Sequence, residues 1–204
     1  MAAVWRTIQI WVCILVFLPA AWAARFAVLA DLHVSPGNDN EMQLEKAVDE
    51  INAGNFDFVV VPGDLTNQGS EAELDAVKRG LDRLTAPTFA IPGNHETNWS
   101  PTAGQGWIRR WGGERVDGAV GSTRIVGFST GPYLKMGDGF VRSDDLAWLA
   151  ETLRSGTPDQ TIVLLAHYPL TDGVGNWREV QDVLKAHPVA VVIGGHWHRI
   201  RLFN

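Results

Sequence analysis

Cysteine is almost absent from this sequence: Cys13 is the only one among 204 residues. A framework of disulfide bonds is therefore excluded, and so is a structural zinc site built from several thiolates. Basic charge is also scarce, because 17 lysine and arginine residues face 23 aspartate and glutamate residues, which gives a net charge of −6. A protein that coats a nucleic-acid polymer needs a basic surface, so we expect no such partner.

The first 23 residues have the pattern of a signal peptide. Arg6 supplies a short basic segment, Ile8 to Leu18 is apolar, and Ala21-Trp22-Ala23 has the small-x-small form of a cleavage site. An uncleaved membrane anchor is the alternative, but the apolar part is shorter than the roughly 20 residues that a spanning helix needs. We therefore expect residues 1–23 to be removed, the protein to be exported to the periplasm or the extracellular space, and no stable membrane anchor to remain.

Residues 24–204 are expected to form one α/β domain. Apolar residues make up 46% of the sequence, which is enough for a sizeable core. Strand-like runs alternate with helical periodicities in its first half, an order that is typical of a mostly parallel sheet. The expected strands cover 25–31, 58–61, 87–92, 123–129, 161–166 and 189–193, and the expected helices cover 41–52, a segment from Ser70, a segment from Ser143, and 177–186.

The pattern is interrupted between Thr97 and Gly121, a segment rich in tryptophan, arginine and glycine. One interpretation is a loop with a short helix that its tryptophans hold on the core. The other is a cap on the substrate side of the protein, with an arginine facing a phosphate group. The sequence supports both interpretations equally. The residues concerned are Trp99, Trp107, Trp111, Arg109, Arg110 and Arg115.

Polar side chains follow five of the expected strands. Phe58 to Val61 is typical of a buried strand, and Pro62 and Gly63 end it just before Asp64. Because open α/β sheets bind ligands at the carboxyl ends of their strands, we expect these polar side chains to converge, with Asp64 at the centre. The seven candidate ligands are Asp31, His33, Asp64, Asn94, His167, His196 and His198.

The seven candidates offer carboxylate, amide and imidazole groups, which suit Mn, Fe or Zn without selecting among them. Seven ligands are too many for one ion that takes four to six, so we expect two ions that share one carboxylate. Asp31 and His33 are expected to bind one ion together, because alternate side chains of extended backbone point to the same side. A purely structural role for each histidine is the alternative, and the recurrence at five positions near strand ends argues against it.

The motifs at the strand ends resemble those of the calcineurin-like metallophosphoesterase superfamily, in the family's order and over nearly all of residues 26–198. The central part is most similar to the bacterial cyclic-nucleotide phosphodiesterases and related phosphohydrolases. The Asp-Arg-Gly that follows the Gly-Asp motif in protein Ser/Thr phosphatases is missing here. The matching motifs are Asp31-Leu32-His33, Gly63-Asp64, Gly93-Asn94-His95-Glu96, His167 and Gly195-His196-Trp197-His198.

The resemblance implies a four-layer α/β/β/α sandwich and a phosphoesterase with two metal ions. A hydroxide between the ions would attack the phosphorus of a small phosphomonoester or phosphodiester. His95 would stabilise the phosphoryl charge or protonate the leaving oxygen. Glu96 would orient a neighbouring imidazole, or would be a plain surface carboxylate. The implied ligands are Asp31, His33 and His198 for the first ion, Asn94, His167 and His196 for the second, and Asp64 as the bridge.

Several alternatives stay open. A pyrophosphatase-type hydrolase of nucleotide conjugates would use the same ligands, and a catalytically silent metal-binding protein would keep them without turnover. Family members have further strands after the last His-x-His motif, whereas this sequence continues only to Asn204. The chain is therefore expected to be a minimal branch or a fragment without its C-terminal strands. Trp197 is expected to pack away from the metals, with stacking on the substrate as the alternative.

Overall fold

The structure is a computed structural model, and it describes residues 24–131, 138–171 and 173–198. The expected signal peptide and the residues after His198 lie outside these ranges. Every helix within the ranges is too short or too polar to span a lipid bilayer.

Strands and helices alternate along the described chain, and all the expected elements occur, although the first strand, expected over 25–31, ends at Val28. One strand was not expected, because it lies in the irregular segment between residues 97 and 121. The elements are β1 (Phe26–Val28), α1 (Asp39–Ala53), β2 (Phe58–Pro62), α2 (Glu71–Leu81), β3 (Thr88–Ile91), α3 (Gln105–Trp111), β4 (Arg115–Val120), β5 (Thr123–Phe128), α4 (Ser143–Arg154), β6 (Thr161–Ala166), α5 (Trp177–Leu184) and β7 (Val189–Ile193).

The strands form two sheets. The first has the order β1-β2-β3 and is entirely parallel. The second has the order β4-β5-β6-β7, in which only the β4–β5 pair is antiparallel. The mostly parallel arrangement expected from the alternating pattern is confirmed.

Apolar side chains fill the space between four layers. Phe58 and Val60 point from β2 towards the second sheet, whereas Val59 and Val61 point to the helices on the opposite face, as strand alternation requires. Helices α1, α2 and α3 cover the first sheet, and α4 and α5 cover the second. The expected four-layer α/β/β/α sandwich is therefore confirmed.

Helix α2 anchors the loops that follow the first two strands. The Ser70 hydroxyl accepts a hydrogen bond from the Glu73 backbone, and the Glu73 carboxylate accepts one from the Ser70 backbone, which makes a capping box. The same carboxylate accepts hydrogen bonds from the Ser35 hydroxyl (2.5 Å) and the Gln68 backbone (3.1 Å). One helix terminus therefore holds the loop after β1 and the loop after β2.

The irregular segment is held on the core by its tryptophans. Trp107 is fully buried and stacks on Trp111 with ring centroids 4.0 Å apart. The arginines of the segment form ion pairs: Arg109 and Arg110 with carboxylates of α2, and Arg115 with carboxylates of α4. The interpretation of a short helix held on the core is therefore correct for α3, and the ion pairs give no support to a phosphate-facing role for these three arginines.

Strand β7 was expected to be buried, and this prediction is wrong. Val191 and Val192 are each 40% exposed. The reason is that β7 is the edge strand of the second sheet among the described residues, so that neighbouring elements cover it only in part.

Replacement of Asp145 should destabilise the fold, because its carboxylate is 1% exposed and accepts 2.6 Å hydrogen bonds from Arg115 and Arg142. Asp145→Ala leaves both guanidinium groups without this partner, and since they are about one-third exposed we expect a loss of about 2 kcal/mol. Urea unfolding followed by circular dichroism measures it. The control is Asp144→Ala, at a site 69% exposed, with an expected change within about 0.5 kcal/mol. Equal effects would contradict the assignment.

Candidate metal centre

The seven candidate ligands lie together at one end of the two sheets. The loops that follow β1 and β2 run side by side, because Asp31 donates its backbone N–H to the Gly63 carbonyl (3.2 Å) and His33 donates its own to the Asp64 carbonyl (3.1 Å). The loop after β3 reaches the same place, since the His95 backbone N–H donates to Asp64 Oδ1 (3.0 Å). The ends of β6 and β7 add ligands from the second sheet.

Most of these ligands have left-handed backbone. Non-glycine residues rarely adopt positive φ, and each case costs on the order of 1–3 kcal/mol unless its surroundings enforce it. Within the described residues the other non-glycine example is Ala103 (48°). The extended backbone expected for Asp31 and His33 is therefore wrong, and a turn at each residue aims its side chain. The ligands concerned are Asp31 (53°), His33 (47°), Asp64 (53°), His196 (71°) and His198 (49°).

Asp31, His33 and His198 form a first cluster, in which one ligand atom from each lies within 4.8 Å of the others. The two Nε2 atoms of the histidines are 3.0 Å apart, and His198 Nε2 is 3.8 Å from Asp31 Oδ1. Asp31 Oδ1 also accepts a hydrogen bond from the His196 backbone (2.8 Å), which ties the loop after β7 to the loop after β1.

Asp64, Asn94, His167 and His196 form a second cluster. Asn94 Oδ1 lies 3.1 Å from His167 Nε2 and 3.1 Å from His196 Nδ1. Asp64 Oδ2 lies 3.1 Å from His167 Nε2. Asp64 also groups with His33 of the first cluster, within 4.8 Å, so that its carboxylate is placed between the two clusters.

Glycines allow this close approach. A Cβ atom on Gly93 would lie 2.2 Å from Asp64 Oδ1, and a Cβ on Gly195 would lie 2.8 Å from Asp31 Oδ2. Both distances are far below van der Waals contact. Glycine is therefore needed before Asn94 and before His196, because the backbone at each of these positions touches a carboxylate.

The protonation states of Asp64, His33 and His196 suit cation binding. Burial acts to raise the pKa of Asp64, but His167 and His95 outweigh it and lower that pKa to about 2, so the carboxylate is ionised at neutral pH. Burial lowers the pKa of both His33 and His196, which favours the neutral imidazole that a metal requires. For His167, burial acts to lower the pKa, but the negative charge of Asp64 raises it overall.

His95 lies at the edge of both clusters. Its Nδ1 is 2.6 Å from the Asn67 carbonyl oxygen, which can only accept, so Nδ1 carries a proton. Its Nε2 faces the centre, 3.8 Å from Asp64 Oδ2. The Asn67 carbonyl has no signal in the sequence, because any residue at that position could supply it.

Glu96 is fully buried, so the prediction of a plain surface carboxylate is wrong. It accepts hydrogen bonds from backbone groups and one hydroxyl rather than from an imidazole. Oε2 accepts from the N–H of Asp64 (3.0 Å) and of Gly93 (2.9 Å). Oε1 accepts from the backbone (2.8 Å) and the hydroxyl (2.6 Å) of Thr66. Burial, followed by the negative charge of Asp64, raises the pKa of Glu96. The side chain thus joins the loops after β2 and β3.

Aromatic side chains outside the predicted ligand set lie close to the site, and Tyr168 and Trp99 contact its histidines. Tyr168 is buried, and its ring centroid lies 4.0 Å from that of His196; burial raises the pKa of its phenol to about 12. Trp99 contacts His95, with centroids 4.4 Å apart. Trp197 is half-buried, and its indole lies beside Gly173. Their positions next to histidine motifs were the only signal in the sequence.

The donor atoms fit divalent or trivalent cations. Oxygen and nitrogen acceptors converge at about 3 Å from one another, and pairs such as His33 Nε2 and His198 Nε2 share at most one proton between them. Carboxylate, amide and imidazole ligands without thiolates are the set expected for Mn, Fe or Zn. A bound cation would satisfy acceptors that otherwise face one another.

A family model described as calcineurin-like phosphoesterase matches residues 24–199. A probable cyclic nucleotide phosphodiesterase of Vesicomyosocius okutanii subsp. Calyptogena okutanii (strain HA) is 24% identical over 193 residues, which cover 86% of this chain and 79% of the relative. A probable cyclic nucleotide phosphodiesterase of Synechococcus sp. is 30% identical over 152 residues, which cover 70% of this chain. This chain spans only 58% of the Synechococcus relative.

Among solved structures, purple acid phosphatase PPD1 from yellow lupin (Lupinus luteus) seeds is similar, with a TM-score of 0.68. The likeness covers 86% of this chain and 38% of the lupin chain, at 15% sequence identity. At that identity the likeness concerns the fold alone, and it agrees with the α/β/β/α layers described above.

Loss of the Glu96 carboxylate should disturb both stability and metal binding. Glu96→Ala leaves three buried backbone N–H groups without their acceptor, so we expect the free energy of unfolding of the metal-free protein to fall by about 3 kcal/mol or more. Since Asp64 and Gly93 lose an anchor, we also expect the affinity for Mn²⁺ to fall about 10- to 100-fold. Urea unfolding and isothermal titration calorimetry measure the two effects.

Glu151→Ala is the matched control, because that carboxylate is 72% exposed. It should change neither quantity appreciably. Wild-type stability and affinity in Glu96→Ala would show that the buried carboxylate does not hold the ligand loops.

Proposed function

The chain belongs to the calcineurin-like phosphoesterase family, whose members are metal-dependent hydrolases of phosphoric esters, and we propose that it hydrolyses a small phosphodiester or phosphomonoester with two metal ions. The family match agrees with the resemblance seen in the motifs. The observation that carries the proposal is the division of the ligands into two clusters with the Asp64 carboxylate between them. One cluster alone would support a mononuclear site.

Each cluster would hold one ion. When bound, the ions would polarise the phosphoryl oxygens and activate a water molecule for attack on phosphorus. Each of Mn, Fe and Zn suits these ligand types. Three ligands for each ion, together with the shared Asp64, leave positions for water and substrate. The proposed assignment is Asp31, His33 and His198 for the first ion, Asn94, His167 and His196 for the second, and Asp64 for both.

His95 would act on the leaving group. As water attacks phosphorus, the bond from phosphorus to the leaving oxygen breaks, and that oxygen needs a proton. The Asn67 carbonyl holds the Nδ1–H of His95, which turns Nε2 towards the centre. A protonated Nε2 can therefore donate to the departing oxygen or to the phosphoryl group. Because Nε2 lies beside Asp64, it would be close to both the leaving oxygen and the phosphoryl group of a bound substrate.

Glu96 would position the machinery without touching the substrate. It accepts hydrogen bonds from the backbone of Asp64 and Gly93 and from Thr66, so it fixes the two loops that carry Asp64 and Asn94. A small displacement of these loops would separate the two ligand clusters.

The relatives support a diester as the substrate. Both relatives named above are described as probable cyclic nucleotide phosphodiesterases. The branch similarity of the motifs from Gly63 to Asn94 agrees with them. A hydrolase of nucleotide pyrophosphates, a phosphomonoesterase and a silent metal-binding protein are then outcomes that experiment must separate.

Hydrolysis of bis-p-nitrophenyl phosphate and p-nitrophenyl phosphate tests the function. With Mn²⁺ we expect turnover that chelator abolishes, and a higher kcat/KM for the diester. Asp64→Ala should lose Mn²⁺ binding and activity together, because it removes the ligand shared by both clusters. His95→Ala should keep the metal but slow kcat by roughly 10²–10⁴-fold. His187→Ala is the control, because His187 precedes β7 whereas the candidate ligands His196 and His198 follow it.

Three results would contradict the proposal. Metal-loaded protein that hydrolyses neither ester would indicate a silent metal-binding protein. Equal loss of metal from Asp64→Ala and His95→Ala would contradict the separate roles of the two residues. A preference for a dinucleotide pyrophosphate over both esters would favour the pyrophosphatase alternative.

We further propose that residues 1–23 are a cleaved signal peptide and that residues 24–204 are the hydrolase domain. The mature protein would be periplasmic or extracellular. The support is the basic, apolar and small-x-small order around Arg6, Ile8 to Leu18 and Ala23. Expression of the full chain with cell fractionation should give a mature protein whose intact mass begins at Ala24. Retention of the full-length mass in the membrane fraction would instead support an uncleaved anchor.

A further inference from the structure

Trp99 is placed between the candidate centre and solvent. Its side chain is 41% exposed, although Trp107 of the same segment is fully buried. The Trp99 and His95 ring centroids are 4.4 Å apart with planes tilted by 40°, and the His95 ring lies 4.5 Å from that of His33. The indole is therefore one ring removed from a candidate metal ligand.

The turn that carries Trp99 is held in place. The Trp99 backbone N–H donates to the carbonyl of Asn94 (3.0 Å), so one turn presents a candidate ligand, His95 and the indole. The hydroxyls of Thr97 and Ser100 donate to backbone carbonyls at 2.9 Å on either side. The backbone of Trp99 is thus held in place, and about two-fifths of the residue is exposed to solvent.

We propose that Trp99 is a stacking surface for an aromatic group on the leaving-group side of the substrate, an aryl ring or a nucleobase. This inference rests on the proposed function, since His95 marks the side from which the leaving oxygen departs. A substituent on that oxygen would extend past His95, where the Trp99 ring lies 4.4 Å from the His95 ring. An exposed π-face accepts any flat ring, and a nucleobase gains most because of its area.

The alternative is a purely structural role, in which Trp99 only holds the His95 ring in position. That role would not weaken aryl esters selectively, because an alkyl leaving oxygen needs the proton from His95 at least as much as an aryl one does. A stacking role affects aryl esters and leaves alkyl esters nearly unchanged. The dependence on the leaving group therefore separates the two roles, with KM and kcat measured separately.

Trp99→Leu and Trp99→Phe test the inference in the full metal-loaded chain. The aryl substrates are phenyl phosphate and bis-p-nitrophenyl phosphate, and the alkyl substrates are glycerol 2-phosphate and glycerophosphocholine. For Trp99→Leu we expect kcat/KM to fall about 5- to 150-fold on the aryl esters, mainly through KM, and to stay within about 2-fold on the alkyl esters. Trp99→Phe should keep part of the preference. Trp148→Phe on α4, where the ring lies beneath Arg115, is the control.

Binding provides a readout that does not depend on turnover. By calorimetry, Mn²⁺-loaded wild-type protein should bind adenosine monophosphate more tightly than ribose 5-phosphate, and Trp99→Leu should remove the difference. A larger loss for adenosine monophosphate than for phenyl phosphate identifies a nucleobase, and the reverse order identifies a simple aryl ring; both support the inference.

Losses of kcat on alkyl esters that equal or exceed those on aryl esters, with no change in KM, would overturn the inference in favour of positioning. So would equal binding of adenosine monophosphate and ribose 5-phosphate by the wild-type protein. If no ester is hydrolysed but the preference for adenosine monophosphate depends on Trp99, the proposed function fails and the aromatic subsite stands.

Discussion

The crowding of acceptor atoms around the Asp64 carboxylate is the constraint on which the rest of the structure depends. Asp64 is 1% exposed and lies 3.1 Å from His167, which in turn faces the Asn94 amide oxygen. In the same region two imidazole Nε2 atoms are 3.0 Å apart. The buried polar atoms of Asp64, Asn94 and His167 cost free energy unless they are matched, and a bound cation matches several acceptors at once.

The sandwich makes this crowding possible because each sheet brings ligands from its own strand ends. The first sheet supplies the loops after β1, β2 and β3, and the second supplies the ends of β6 and β7. The apolar layer between the sheets, which includes Phe58 and Ile125, sets their separation. Left-handed turns at most of the ligands then direct the side chains inwards. Such turns are tolerated because packing and long-range hydrogen bonds such as those of Glu96 enforce them.

The three arginines of the irregular segment and the candidate metal centre have separate roles. Arg109, Arg110 and Arg115 are engaged by carboxylates of α2 and α4, where they fasten the irregular segment to the helices. In the proposed function, bound cations and His95 would meet the negative charge of a phosphate. Trp99 lies on the same turn as His95 and would offer an aromatic contact outside the phosphoryl group.

The amino-acid sequence by itself determined the alternation of strands and helices, the polar residues that end the strands, and the ligand types, because these depend on local periodicity and on side-chain chemistry. Strand β4 escaped prediction, since its residues alternate between exposed and half-buried positions in a glycine-rich segment. The tertiary structure alone decided the left-handed backbone of Asp31 and His33, the buried role of Glu96, the exposure of β7 and the contact of Trp99 with His95. Each of these depends on which distant segments meet, and sequence spacing carries no measure of that.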